Sequence, residues 1–342
     1  MKRNLTISCS TVTTNVLIRD GLLFKAGKYI QQKRAVIITD DNASRLYLND
    51  LMQALETNGI EHHTISIGVG ESAKNLQTVE KIYAFLHEKK INRSDCIISL
   101  GGGVVGDIAG FVAATFMRGV TLIHIPTTII AQTDSSIGGK CGVNYNGVKN
   151  LIGAFYQPSL VLIDTGVLKT LSKRDFNSGM AEVIKYAALF DKNMFWELEC
   201  TPYDLEEIIF RCCKLKAVMV ELDEFDKKER HILNFGHTFG HSIEATSNYE
   251  LTHGEAVAIG MVIATRLGEK LKITKEGTTQ RLISLLNRFS LPTSTTLDVM
   301  YGIDSDKKAE GKQISIVSLQ EIGKVMGLSL TIDRLKDIIG DL

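Results

Sequence analysis

Proline is scarce, at four among 342 residues, and leaves little room for a proline-rich linker. Neither charge is in excess. The 39 Lys and Arg balance 39 Asp and Glu, for a formal net charge of +0. A nucleic-acid-binding protein normally carries a basic surplus, so that class is disfavoured, whereas a local basic pocket for an anionic small molecule is not. The six cysteines, Cys9, Cys96, Cys141, Cys200, Cys212 and Cys213, form no C-x-x-C pair and no regular spacing. Reduced thiols in a cytoplasmic protein are expected. Residues 1–14 lack a long apolar core, so no secretory leader is expected. No apolar run approaches the roughly 18 residues of a membrane span. The most apolar stretch, Cys96 to Met117, is broken by glycines and by Asp107. The composition, 44% hydrophobic and 23% charged, is that of a folded globular chain rather than a disordered one. The length suggests about two domains at roughly 150 residues each.

The first half alternates strand and helix patterns. Apolar runs at Ala35 to Thr39, His63 to Ile67, Cys96 to Leu100, Val120 to Ile125 and Leu160 to Ile163 read as strands. Helical periods lie between them, around Leu46 to Asn58, Leu76 to Lys89 and Asp107 to Met117. That alternation predicts a mostly parallel sheet covered on both faces. From about Ser172 the 3.6-residue period takes over: Asp175 to Leu189, Asn193 to Leu198, Tyr203 to Leu222, Leu233 to Thr246, His253 to Lys270 and Lys275 to Phe289. A strand pattern returns at Ile314 to Ser318. The expected organisation is an α/β domain over residues 1–171, Rossmann-like with a mostly parallel sheet, followed by a mainly α-helical domain over residues 172–342.

Glycines, 29 in all, cluster. Gly101-Gly-Gly-Val-Val-Gly106-Asp107 follows a strand pattern and opens a helical one. Such a turn lets backbone N–H groups approach a phosphate at a helix N-terminus. The usual dinucleotide fingerprint is incomplete, because the first strand–helix turn is Asp40-Asp41-Asn42 and the strand after the glycines ends in Pro126-Thr127-Thr128. Asp40 is then the candidate for a ribose hydroxyl, and Thr127 and Thr128 are hydroxyl donors.

His237 and His241 stand four apart on one helical face, and His253 opens a later apolar helix. Imidazoles at i and i+4 can share a divalent cation with a carboxylate; alone such a pair reads as solvated, but with His253 nearby in so apolar a context the metal reading is favoured. Position 238 is Thr, which lacks the base of an H-E-x-x-H protease. Glu182 and Lys185 lie one turn apart in an apolar helix, either as a surface pair or as a metal ligand and a substrate cation. Asp134, Lys140, Lys149, Asn150, Lys216, Arg230, Asn234, Lys307 and Lys308 lie in polar or glycine-rich contexts. Singly each reads as a solvated group; together they suit a phosphate and a carboxylate.

Taken in order, Gly70-Glu-Ser-Ala-Lys74, Gly101 to Asp107, Pro126-Thr-Thr128, Asp134 to Asn144, Lys149-Asn150, Ala181 to Lys185, Leu233 to His241, His253-Gly-Glu255 and Asp306-Lys-Lys308 resemble the 3-dehydroquinate synthase family, from Asp40 to Gly323. The resemblance implies that family's fold and its reaction. It converts 3-deoxy-D-arabino-heptulosonate 7-phosphate to 3-dehydroquinate and phosphate, with NAD and one divalent metal, zinc or cobalt. It implies Glu182, His237 and His253 as metal ligands, which separates His241 from its i, i+4 partner and places it on the substrate side. Implied NAD contacts are Asp40, Asn42, Glu71, Lys74, Gly102, Gly103, Val104, Asp107, Thr127, Thr128, Lys140, Lys149, Val167 and Thr170. Implied substrate and catalytic positions are Asp134, Lys140, Asn150, Lys185, Lys216, Arg230, Asn234, His241 and one of Lys307 and Lys308. Arg118 matches an arginine that the family lends to a neighbouring subunit, which implies a homodimer. Cys141 stands where the family more often has Thr; little effect on the chemistry is expected, with room for thiol sensitivity beside Lys140.

Two other classes share parts of this pattern. Another sugar-phosphate cyclase, such as a 2-deoxy-scyllo-inosose synthase, would share fold, NAD and metal. A metal-dependent polyol dehydrogenase would share the two-domain plan but accumulate NADH, and it would not need Lys140, Lys149, Lys216 and Arg230 together. A non-catalytic NAD-binding module has no use for the metal and cation sets.

Overall fold

A computed structural model describes residues 3–200, 202–248, 250–302 and 313–340. The chain forms two compact units, Met1–Leu171 with Leu205–Phe225, and Ser172–Asp204 with Asp226–Leu342.

The first unit is built on a seven-stranded sheet. Strands β1 (Arg3–Ser8) and β2 (Thr13–Ile18) form an antiparallel pair. β3 (Arg34–Asp40), β4 (Glu61–Ile67), β5 (Cys96–Gly101) and β6 (Thr121–Pro126) follow, then a separate hairpin of β7 (Lys140–Tyr145) and β8 (Val148–Phe155), and finally β9 (Leu160–Ile163). The sheet order is β1-β2-β9-β6-β5-β3-β4, parallel from β2 onward. Alternate residues of β3 feed different cores. Ile37 packs with Leu23, Leu51 and Leu55, while Val36 and Ile38 pack with Val79, Ile82 and Ile108. Burial on both faces explains why these strands read as unbroken apolar runs. From β3 the chain moves outward to β4 and then returns to β5 on the other side of β3. That reversal opens a crevice at the carboxyl ends of β3 and β5, the usual ligand position in such sheets.

The second unit holds helices Lys173–Phe190, Lys192–Glu199, His237–Thr246, His253–Lys270, Thr278–Arg288 and Ile332–Gly340, with an antiparallel pair of β10 (Gln313–Glu321) and β11 (Lys324–Thr331). Every residue from Ser178 to Leu189 is buried, the mark of a helix surrounded by protein. Among the described residues no helix is long and apolar enough to cross a membrane.

Three features differ from the sequence expectation. Helix Leu205–Leu222 falls with the first unit, not with the second, so neither unit follows the contiguous 1–171 and 172–342 division. Its Lys216 pairs with Asp134, Cys213 Sγ contacts Gln132 O at 3.2 Å, and Glu206 and Glu207 pair with Arg3. The helix expected over Leu233 to Thr246 is a 3₁₀ turn, Glu229–Asn234, and then helix His237–Thr246. The two are parted at Gly236, whose φ of +80° no helix interior tolerates. The glycine-hinged stretch after Asp134 leads directly into β7 and the hairpin.

Candidate active site

In the first unit the glycine turn lies at the end of β5. Helix Gly103–Thr115 begins there with Gly102 as N-cap and no side-chain cap, so its first N–H groups are offered to a ligand. A Cβ on Gly102 would stand 3.2 Å from Thr128 Cγ2, so a side chain would crowd the cradle. Gly102, Gly103 and Val104 are half-buried, and Thr127 N–H donates to Gly101 O at 2.9 Å, which ties the end of β6 to the turn. Asp40, at the end of β3, accepts from Ala43 N–H at 2.8 Å and caps the short helix that carries the exposed Asn42. This cradle, with a carboxylate at the neighbouring strand end, fits a dinucleotide.

Lys74 is 4% exposed and pairs with Asp107 and the side-chain oxygen of Asn150. Burial pushes the Asp107 carboxyl up and the Lys74 charge pulls it back. Asp107, Lys140, Cys141, Asn150, Leu151 and Phe155 line a cleft of about 340 Å³. Cys141 is held there as a thiol. Burial, then the Asp107 charge, pushes its pKa up to about 12, and Sγ contacts Ala154 O at 3.2 Å. That shift disfavours the thiolate at neutral pH and so argues against thiol sensitivity at this position. Half-buried Asp134 and buried Lys216 make an ion pair in the same unit. Lys140 is exposed and Lys149 half-buried. Tyr47 OH donates to Val167 O at 2.7 Å and contacts Thr170 Oγ1, bracing the turn that carries both implied NAD contacts. Nothing in the residue pattern singled out Tyr47, because its helical neighbours say nothing of a turn so far along the chain.

In the second unit one ligand atom from each of Glu182, His237 and His253 lies within 4.8 Å of the others. Glu182 comes from helix Lys173–Phe190, His237 from the start of its helix just after Gly236, and His253 from the first residue of helix His253–Lys270. Thr252 and Glu255 form a capping box there. Arg174 grips Glu255 at 2.8 and 2.7 Å and ties that helix start to the helix of Glu182. His237 Nδ1 donates to Phe235 O at 3.1 Å, which leaves its Nε2 lone pair facing Glu182 Oε1 at 3.6 Å. His253 Nε2 lies 3.3 Å from Glu182 Oε1, and its Nδ1 lies 3.4 Å from Glu244 Oε2. Burial, then the Lys185 charge, pushes His237 down to about 3. Burial opposes charge on His253 as well, but Glu182 and Glu244 prevail and raise it to about 9. Two imidazole nitrogens and one carboxylate oxygen suit zinc or cobalt and leave coordination positions open. His241 does not belong to this triad. It is exposed, its ring centroid 5.5 Å from that of His237. The i, i+4 reading of a shared ligand pair is thus replaced by one histidine from each of two helices.

Lys185 is 1% exposed and pairs with Glu182, so these two are not a surface pair. Arg230 is 2% exposed, in the 3₁₀ turn that also carries the half-buried Asn234, and the solvated reading fails for it. Arg118 is exposed, with a left-handed φ of 63°. Lys307 and Lys308 lie outside the described residues. Glu244, facing His253, was missed, although its place seven residues after His237 puts it on the histidine face of that helix.

Two adjoining family models match residues 64–309 of the chain. One, described as 3-dehydroquinate synthase N-terminal, covers residues 64–178, and the other, 3-dehydroquinate synthase C-terminal, covers residues 179–309. A 3-dehydroquinate synthase of Enterococcus faecalis is 43% identical over 97% of each chain. Among solved structures, 2-deoxy-scyllo-inosose synthase complexed with carbaglucose-6-phosphate, NAD⁺ and Co²⁺ is 25% identical, covers 99% of both chains and superposes with a TM-score of 0.89. A 2-epi-5-epi-valiolone synthase from Streptomyces hygroscopicus subsp. jinggangensis, with NAD⁺ and Zn²⁺ bound, is 26% identical over 98% of this chain and 99% of its own, with a TM-score of 0.87.

Proposed function

The chain belongs to the 3-dehydroquinate synthase family, and on that premise we propose how its own residues carry the family's reaction. It is a carbon–oxygen lyase of the shikimate route to chorismate and the aromatic amino acids, and it uses NAD and one divalent metal. It converts 3-deoxy-D-arabino-heptulosonate 7-phosphate to 3-dehydroquinate and phosphate through transient oxidation of a ring hydroxyl, phosphate elimination, re-reduction, ring opening and intramolecular aldol closure. When bound, the nucleotide supplies a reversible hydride store and the metal a Lewis acid.

Glu182, His237 and His253 hold the metal, and Glu244 orients His253 from behind. Gly102, Gly103 and Val104 take the pyrophosphate at the uncapped helix start. Asp40, Asn42, Glu71, Lys74, Asp107, Thr127, Thr128, Lys140, Lys149, Val167 and Thr170 complete the NAD contacts. Lys140, Lys185 and Lys216 stabilise carboxylate, phosphate and developing negative charge. Asp134 fixes the Lys216 ammonium, and Arg230 and Asn234 supply directed donors. By the family resemblance Asn150, His241 and one of Lys307 and Lys308 are assigned to the phosphate, which can itself carry the proton. Arg118 serves a neighbouring protomer in a homodimer, a role supported by its exposure. A cytoplasmic location is supported by the six cysteines, all free thiols.

The observation that carries this reading is the near-full-length likeness to a 3-dehydroquinate synthase, with the Glu182–His237–His253 cluster in place around the buried Glu182 carboxylate. The test is incubation of purified protein with the heptulosonate phosphate, NAD⁺ and zinc or cobalt, following phosphate, dehydroquinate and NADH together, with a chelated control. Equal phosphate and dehydroquinate, no accumulating NADH and loss of turnover on chelation are expected. No phosphate release from folded, NAD-binding, metal-loaded protein would overturn the reading. Turnover of glucose 6-phosphate would then point to the inosose synthase branch, and net NADH from simple polyols to a dehydrogenase.

A further inference from the structure

Asn144 has no role in the assignments above, yet its side chain touches two residues that do. In the β7–β8 hairpin Val143 pairs with Ile152 and Tyr145 pairs with Val148, with a register shift between them. One residue of β7, Asn144, therefore faces three of β8: Lys149, Asn150 and Leu151. Such a bulge takes residues out of the ladder and re-aims their side chains. Asn150 stands at its crest with φ of 54°, a left-handed backbone that asparagine tolerates better than most side chains. Its N–H donates to Asn144 Oδ1 at 2.9 Å instead of to a ladder carbonyl. Asn144 Nδ2 donates to Glu71 Oε1 at 2.7 Å. The Asn144 backbone N–H leaves the hairpin and donates to Lys74 O at 2.9 Å. Lys74 Nζ closes the ring on Asn150 and Asp107.

We propose that Asn144 is a positioning residue whose amide holds the Asn150 bulge on one side and the Glu71 carboxylate on the other. The proposal rests on the functional reading above, in which Asn150 serves the substrate and Glu71 serves NAD. Each end of the amide has one task, the oxygen accepting from the bulge and the nitrogen donating to the carboxylate. Two variants therefore separate them. Asn144→Asp keeps an acceptor for the Asn150 N–H, but sets a second carboxylate against Glu71. Asn144→Ala removes both contacts.

The experiment uses full-length, metal-loaded enzyme and reads two quantities: NAD affinity by direct titration, and kcat with the heptulosonate phosphate. The Asp variant should bind NAD about tenfold more weakly and keep kcat within about threefold. The Ala variant should lose kcat by about tenfold or more, because the bulge is released. An Asp variant with NAD affinity within about twofold of the unmodified chain would overturn the proposal. So would equal loss of kcat in both variants with unchanged NAD affinity, the signature of a merely loosened hairpin. If the Ala variant does not fold, the Asp variant decides alone. The NAD titration needs no turnover, so an unmodified chain that binds NAD but leaves the heptulosonate phosphate untouched counts against the reaction, while the Asp variant still decides the Asn144–Glu71 contact.

Discussion

At the scale of single residues, the metal cluster divides its protonation states. His237, held near 3, is already neutral at physiological pH, whereas His253, raised to about 9, carries a proton that a metal must displace. Binding of zinc or cobalt at pH 7.5 should therefore release about one proton from His253, and apparent affinity should fall by about tenfold for each pH unit below 9. Calorimetric titration in two buffers of different ionisation enthalpy reads that proton directly, and no release would contradict the assignment. The same shift acts on the metal-free fold. A histidine whose pKa rises on folding stabilises fully below its unfolded value of 6.5, and that contribution disappears as pH climbs through 9. Chelated protein should accordingly lose stability between those two values.

At the scale of elements, close approach of helices brings the cluster together. A Cβ at Gly254 would stand 1.9 Å from Ser178 O, so only glycine lets helix His253–Lys270 start against helix Lys173–Phe190. Gly254→Ala should force those helices apart and carry His253 away from Glu182. Overpacking of this kind costs about 1–3 kcal/mol. Thermal unfolding should show that loss, and metal content should fall well below one per chain; full metal occupancy with unchanged stability would show that the contact is not needed. The helices themselves were legible in the sequence, since the 3.6-residue period marks a buried stripe wherever it occurs. Their ends were less so. Gly236 breaks the expected Leu233 to Thr246 helix through its backbone angle, which periodicity does not register. The β7–β8 hairpin was hidden because its outer strand is exposed at Val148, Leu151 and Phe155, so apolar and polar residues do not alternate cleanly along it.

At the scale of the whole molecule, the first unit is discontinuous in sequence. Helix Leu205–Leu222 buries Ile208, Ile209, Cys212 and Cys213 and brings Lys216 to Asp134. A fragment of residues 1–171 lacks that helix and should show no cooperative melting transition. A fragment of residues 1–225 contains every segment of the first unit and should melt cooperatively. Circular dichroism melts of the two decide the matter, and a cooperative transition in the shorter fragment would show that the helix is dispensable to the unit.

The sequence alone determined the fold class and the chemistry on offer: strand–helix alternation, a glycine turn at a helix start, and histidines, a carboxylate and cations of the kinds that hold metal and phosphate. These are local properties, set by side-chain period, backbone freedom and ionisation. Only the tertiary structure decided which of them meet. It joined His253 to Glu182 rather than His241, buried Lys185 and Arg230, closed the Cys141 thiol in beside Asp107, and tied Asn144 to Glu71. Each of those outcomes depends on contacts between residues far apart in the chain, and spacing along the sequence carries no record of distance in space.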